Sequence, residues 1–350
     1  MESKEEINTT EKLKRLLEKT AKESGLKITG EVVALKTDEQ REAEKEIKEW
    51  KEKKTEFHLL KEFKIPQELI KCLFSTNQYD GFLMSGEGGL GKTILAISSV
   101  KQNFKTDEWE YTNGYITPLA LYEFLYLNRN KKVIIIDDIE GVFNNKLSLS
   151  ILKGALWDSE GKRICQYSSK SDKAQMPEKF VMNAKIIILC NDIPKENDIS
   201  TRAMLSRMIL YRMKLTFEEK IEICKRFILE EKLEKEIENK VLNILETKVT
   251  EATRDFNFRT LRKLIAFALY DIKKAESLFE ATTEIDEDKQ AYLRVSKMGL
   301  KVSEQVIEFI QTTGRSRRTF FRIKSDIVSQ KKDMTPHTYT NERGLKENGK

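Results

Sequence analysis

The sequence predicts an α/β fold with a mostly parallel central sheet, and three observations carry that expectation. Short apolar runs at Phe82–Ser85, Val133–Ile136 and Ile186–Cys190 lack the polar–apolar alternation of half-exposed strands, as strands covered on both faces do. Segments with helical apolar spacing separate these runs, Leu119–Leu127 before the second and Leu147–Trp157 between the second and third, so the order reads β-α-β-α. The first run passes into a glycine-rich stretch, after which Leu95, Ala96 and Val100 continue at helical spacing.

Along the chain, residues 1–63 are dominated by Glu and Lys and read as a charged N-terminal arm, with Asp38–Glu62 a solvated helix. Pro66 marks a turn, and an amphipathic helix over Glu68–Phe74 leads to Asp80-Gly81. The core is expected over 64–215, and from Phe217 to Phe279 the pattern is helical throughout, a helical lid over 216–282. Residues 283–332 form a basic helix-turn-helix-like module, and 333–350 have the composition of a disordered tail.

Composition narrows the class of protein. With 350 residues and 39% hydrophobic content, the chain is long enough for one sizeable core and small accessory domains. No stretch approaches the roughly 18 apolar residues that span a bilayer. The start, MESKEEINTT, lacks the basic-then-apolar order of a secretory signal. A soluble, cytoplasmic protein with no membrane partner is expected. Cys72, Cys165, Cys190 and Cys224 show no CxxC spacing, and His58 and His337 lie far from them in sequence, which argues against structural zinc. The net charge of +6 is unevenly placed. Residues 291–350 hold 13 Lys/Arg against 6 Asp/Glu, which points to a polyanionic partner for the C-terminus.

The glycine-rich stretch is Gly86-Glu87-Gly88-Gly89-Leu90-Gly91-Lys92-Thr93, followed by Ile94. GxxxxGK[ST] between a strand and a helix is a phosphate cradle: backbone N–H groups turn inward and the helix adds its positive dipole end. Lys92 supplies a point charge to β- and γ-phosphates, and Thr93 places its hydroxyl on Mg²⁺, so ATP and Mg²⁺ are the expected cofactors. Downstream, Ile134-Ile135-Ile136-Asp137-Asp138 ends an apolar strand in acids. Asp137 falls near the metal, and Asp138 is placed to orient or deprotonate the attacking water, with Glu140 the alternative. Asn191, at the tip of the third run, is suited to hold that water.

In their order of Walker A, Walker B and strand-tip asparagine, these residues resemble the AAA+ ATPases over roughly 65–280. The resemblance implies an arginine finger acting across a subunit interface, at Arg207 in Ala203-Met204-Leu205-Ser206-Arg207 or alternatively at Arg202. It also implies a sensor 2 arginine at Arg259, within Asn257-Phe258-Arg259-Thr260-Leu261. The Asp137-Asp138 pair and Cys190-Asn191-Asp192-Ile193-Pro194 are similar to the superfamily 3 helicases and the initiator and helicase-loader branch. In superfamily 3 helicases a hairpin between Walker B and the asparagine grips DNA. Here Lys162–Lys173 alternates like a strand and then breaks into a polar turn, so Lys170 and Lys173 either take that part or belong to a plain solvated loop.

At the C-terminus, residues 303–312 read as a helix with Val306, Ile307 and Ile310 inward, and Thr313-Gly314 turns the chain. Ser316 caps a second helix through Ser329, in which Phe320, Ile323 and Ile327 share one face. Arg317, Arg318, Phe321, Arg322 and Lys324 are left for the other sides, a distribution suited to phosphate and base-edge contact. The expected function is a nucleic-acid-dependent ATPase assembling as a ring, a hexamer: a replication helicase or initiator. A helicase loader or transposition regulator using ATP as an assembly switch, and a protein-remodelling or signalling ATPase, remain open at this stage.

Overall fold

The structure, a computed structural model, describes residues 38–52, 63–138, 140–168, 176–193 and 196–332. The remainder of the charged arm, the tail 333–350, Lys170 and Lys173 lie outside the described residues. The chain divides into two compact units, Met1–Lys53 and Lys54–Lys350. In the first, α1 (Asp38–Glu52) carries i,i+4 ion pairs Lys45–Glu49 and Lys48–Glu52, the spacing at which opposite charges meet on one helix face.

The second unit opens with α2 (Lys64–Ser75), which starts earlier than its apolar spacing predicts and takes Pro66 into its first turn. There an N–H has no intrahelical acceptor, so proline forfeits nothing. Next come β1 (Gly81–Ser85) and α3 (Lys92–Asn103), then β2 (Trp109–Asn113), α4 (Pro118–Leu127) and β3 (Val133–Asp137). After α5 (Glu140–Asn144) and α6 (Lys146–Leu156) the chain forms β4 (Asp158–Ser159), β5 (Lys162–Gln166) and β6 (Lys179–Met182). It returns through β7 (Lys185–Cys190), α7 (Ile199–Leu205) and β8 (Met208–Arg212).

Strands β2-β3-β7-β1-β8 form a five-stranded sheet in which every neighbouring pair is parallel. Its central strands are buried on both faces, as their unbroken apolar runs require. Leu83, Ile134, Ile136, Ile186 and Ile188 pack on one side with residues of α4, α6 and α7. Phe82, Met84, Ile135, Ile187 and Leu189 pack on the other with α2 and α3. Strands β4, β5 and β6 form a separate antiparallel sheet whose inward residues Cys165, Phe180 and Met182 join the first of these clusters.

A third core lies within α8 (Phe217–Glu230), α9 (Lys235–Lys248), α10 (Phe258–Tyr270) and α11 (Ala275–Ala281). A fourth joins α12 (Glu287–Ser296), α13 (Val302–Thr313) and α14 (Arg317–Lys332) through Tyr292, Val306, Phe309, Phe320, Ile323 and Ile327. Here one expectation is corrected. Val306 faces inward, but its partner one turn on is Phe309, while Ile307 and Ile310 are 57% and 38% exposed. Phe309 offers the larger ring and meets Phe320 edge-on at 5.5 Å, so the helix rotates to bury it. Gly314 closes α13 at φ 66, and Ser316 Oγ accepts from Thr319 N at 3.3 Å at the start of α14. Among the described residues no helix is long and apolar enough to cross a membrane.

Because the fourth core shares no residue with the sheet cores, its loss should stay local. Phe309→Ala should cost the module about 3–5 kcal/mol. Hydrogen exchange is expected to lose protection in α13 and α14 while amides of β3 and β7 stay protected; uniform loss would show that the cores unfold together.

Candidate nucleotide site

Parallel register brings the strand ends level: Ser85 lies opposite Cys190, and Asp137 lies between Asn113 and Leu189. Functional groups therefore gather at the carboxyl edge of the sheet, where such folds bind ligands. The loop Gly86–Gly91 leaves β1 there and enters α3 at Lys92. Its shape demands glycine at two points in particular. A Cβ on Gly86 would lie 2.4 Å from Met213 O, and one on Gly89, at φ +76, would lie 2.7 Å from Asn257 Oδ1.

Lys92 is only 6% exposed. Its ammonium donates to Gly86 O at 2.7 Å, Glu87 O at 2.9 Å and Asn191 Oδ1 at 3.1 Å. Burial lowers its pKa, against the opposing pull of Asp137 and Asp138. Thr93 Oγ1 donates to Asp137 Oδ2 at 2.6 Å, and Tyr111 OH donates to the same oxygen at 3.2 Å. Asp137 is 4% exposed, and burial raises its pKa despite these donors. Burial, and then the Asp137 charge, push the Tyr111 phenol up in turn.

Asp138 is exposed and sits at φ 51, its N–H donating to Leu189 O at 3.1 Å. A positive φ is costly outside glycine, and aspartate is among the residues that tolerate it best. Gly86 N–H donates to Asn191 O at 3.2 Å, so the third strand's tip is tied to the loop's first residue. Arg259 Nη1 lies 3.6 Å from the position a Cβ would take on Gly88, and Asn191 Oδ1 is equally near. Lys92, Thr93, Asp137, Asp138, Asn191 and Arg259 thus converge around the loop, with Glu87, Leu90 and Ile94 within the loop–helix segment itself. The side chain of Glu140 lies outside the described residues.

Arg207 is elsewhere. It precedes β8, and Met208 is paired with Gly81 at the start of β1, the end away from the loop. Arg207 is thus level with Asp80, six positions before Gly86, about 20 Å along an extended chain and beyond the reach of an arginine side chain. Arg202 is exposed on α7, in the segment leading to the same edge. Arg317, Arg318 and Arg322 are exposed on α14 and Lys324 is half-buried there.

Sequence reasoning missed the contributions of five residues. Tyr111 reaches Asp137 from β2; alternation of Trp109 and Tyr111 with Glu110 and Thr112 was the available signal for that strand. Lys220 of α8 pairs with Glu87 at 2.6 Å, and Phe258 N–H donates to Gly89 O at 3.1 Å, so the helical segment grips the loop. Asn257 caps α10 through Arg259 N at 2.8 Å while packing on Gly89. Trp157 stacks on Arg207.

The donors fit a polyphosphate with Mg²⁺. The loop offers a glycine cradle and an ammonium, and Thr93 and Asp137 present a hydroxyl and a carboxylate, hard oxygens of the kind Mg²⁺ takes singly while phosphates and water complete its shell. Among the described residues no group of three or more His, Cys, Asp or Glu could hold a metal without such help.

Fold and site together describe an α/β chain with a phosphate-loop geometry at the carboxyl edge of its parallel sheet. No protein-family profile matches the chain. An uncharacterised 36.7 kDa protein from the nrdC–mobD intergenic region of Enterobacteria phage T4 is 28% identical over 153 residues, 40% of this chain and 47% of that protein. The chain thus matches about half the length of that relative. Among solved structures, the replication initiator DnaA bound to AMPPCP and single-stranded DNA is 16% identical, with a TM-score of 0.40, covering 79% of this chain and 91% of that one. The Thermotoga maritima RuvB Holliday junction branch migration motor is 14% identical, with a TM-score of 0.40, covering 75% and 87%. NtrX from Brucella abortus in complex with ATP is 12% identical, with a TM-score of 0.36, covering 83% and 73%. At these identities and scores none of the three says what this chain does.

The raised pKa of Asp137 fixes a sign. A folded pKa above the unfolded one means that the folded form holds the proton more tightly. Stability should therefore fall as pH rises from the ordinary carboxylate value through the raised one. Asp137→Asn removes that loss and can still accept from Thr93 and Tyr111. Urea unfolding without nucleotide should show Asp137→Asn at least as stable as wild type at neutral pH. Asp137→Ala, which removes the acceptor of the Thr93 hydroxyl and one partner of the Tyr111 phenol, should lose about 1–3 kcal/mol.

Proposed function

We propose that this protein hydrolyses ATP with Mg²⁺ at a site completed by Arg207 of a second copy, and that it couples this turnover to DNA as a ring-forming helicase or initiator. The observation that carries the reading is the division of labour along the sheet. Lys92, Thr93, Asp137, Asn191 and Arg259 meet at one end of β1, and Arg207 stands at the other. A closed ring of copies, a hexamer in this reading, brings one end against the other in every interface.

Lys92 exchanges its contacts with the loop carbonyls and Asn191 for β- and γ-phosphate oxygens. Thr93 and Asp137 hold Mg²⁺, which supplies charge neutralisation on the phosphates when bound. Asp138 takes the proton of the attacking water and Asn191 positions that water. Arg259 covers the phosphates from the same chain, and Arg207 of the neighbour meets the charge that develops on the transferred group. The resemblance to AAA+ ATPases noted in the sequence agrees with these assignments.

The DNA side rests on α14, whose exposed Arg317, Arg318 and Arg322, with Lys324, form a basic helix standing on a three-helix core. This is the layout of a major-groove reader. Lys170 and Lys173, between β5 and β6, are proposed as a second contact. Two results test the reading. Turnover per subunit should rise with protein concentration and with single-stranded DNA, and forked duplex should be unwound by wild type but not by Lys92→Ala. Turnover independent of concentration would defeat the shared site, and turnover without unwinding would favour a loader. Each of Arg317→Ala, Arg318→Ala and Arg322→Ala should flatten the salt dependence of DNA affinity by about one unit of slope, measured by fluorescence anisotropy.

A further inference from the structure

Arg207 has an unusual setting for an arginine at a sheet edge. Among the described residues its guanidinium meets no carboxylate and makes no hydrogen bond; its partner is a ring, with Cζ 4.4 Å from the Trp157 centroid. Trp157 is itself 52% exposed, far more than a core tryptophan. The two come from segments remote in sequence, and both backbones are fixed. Arg207 N–H donates to Met204 O at 3.1 Å, and the next residue enters β8. Trp157 is the residue directly after α6, whose Ala155 carbonyl accepts from Arg163 Nη1 at 3.1 Å, and the next residue, Asp158, pairs with Arg163 in the antiparallel sheet. Arg163 is 6% exposed and is held by Ala184 O at 2.9 Å and by Asp80 at 3.2 Å.

A guanidinium has two chemically different aspects. Its faces stack on aromatic rings, and its N–H groups point outward in the plane. Stacking one face on Trp157 therefore restricts the side chain's rotation and leaves the in-plane donors available to an incoming anion. Holding a reacting-group partner in place before the encounter is worth a large factor in rate, because a misplacement of about 1 Å can cost on the order of a hundredfold.

We propose that Trp157 is a positioning residue for Arg207: its indole face orients the guanidinium toward the phosphates bound by the neighbouring copy. The proposal rests on the reading of Arg207 as the trans-acting arginine. It goes beyond that reading in assigning a part to a half-exposed tryptophan on a different element, anchored through Arg163.

The test is steady-state ATP turnover by full-length variants in wild-type buffer with Mg²⁺ and single-stranded DNA, with thermal melting as a check on folding. Trp157→Ala should lower kcat about tenfold and leave KM within about twofold, since the arginine acts on the transition state. Trp157→Phe, which keeps a π face, should recover most of the rate, and Trp157→Leu, which keeps only apolar bulk, should not. Mixing then separates positioning from damage. Lys92→Ala subunits cannot hydrolyse but carry an intact Arg207 and Trp157, so mixing them with Trp157→Ala should raise turnover above the sum of the two alone. Full activity in Trp157→Ala, equal rescue by Leu and Phe, or no gain on mixing would each overturn the proposal. A control mixture of Lys92→Ala with Arg207→Ala isolates the underlying reading: gain there without gain for Trp157→Ala sinks the tryptophan's part alone, and no gain in either sinks the trans arginine as well.

Discussion

A carboxylate at the end of a buried strand must find donors, and Asp137 takes the Thr93 hydroxyl at 2.6 Å and the Tyr111 phenol at 3.2 Å. This small constellation ties three elements together: the helix after the glycine loop, the central strand β3 and the edge strand β2. It exists because the parallel register of the sheet sets the strand ends level, so that a residue one step past the apolar run of β3 falls beside the first turn of α3. The raised pKa of Asp137 and the lowered pKa of Lys92 share one cause, burial of charge. Such groups are expensive for folding alone and are the usual mark of a site built to meet another charge.

The same register explains why one chain does not contain the whole site in this account. Sheet strands have two ends, and the chain order places the loop after β1 and Arg207 before β8. Both strands run in the same direction, so neither local flexibility nor a side-chain rotation brings them together. The helical segment, in contrast, reaches the loop directly, with Lys220 on Glu87 and Phe258 on Gly89. In the proposed reading, contacts that belong to one chain and contacts that require a second are thereby separated by the topology itself.

How much of this was legible in the sequence depended on whether the signal was local. The strands at Phe82–Ser85, Val133–Ile136 and Ile186–Cys190 could be read because burial on both faces leaves an unbroken apolar run. The loop could be read because glycine and lysine spacing encodes its backbone. Strand β2 escaped because Trp109-Glu110-Tyr111-Thr112-Asn113 sits at the edge, half-buried, and mixes polar with apolar residues. Lys220 and Trp157 escaped for a different reason: each meets its partner only through the tertiary fold, with Lys220 133 positions from Glu87. In α13 the apolar positions 306, 307, 309 and 310 fit two adjacent faces, and only the packing of Phe309 on Phe320 selects between them.

The central claim is that hydrolysis belongs to a pair of neighbouring copies. Electron microscopy of the wild-type protein with a non-hydrolysable ATP analogue, Mg²⁺ and forked DNA tests it most directly. The account predicts closed rings in which the Arg207 guanidinium of each copy lies against the γ-phosphate on the next copy's loop. Isolated monomers with ordered nucleotide, or rings with Arg207 turned away from every phosphate, would contradict it.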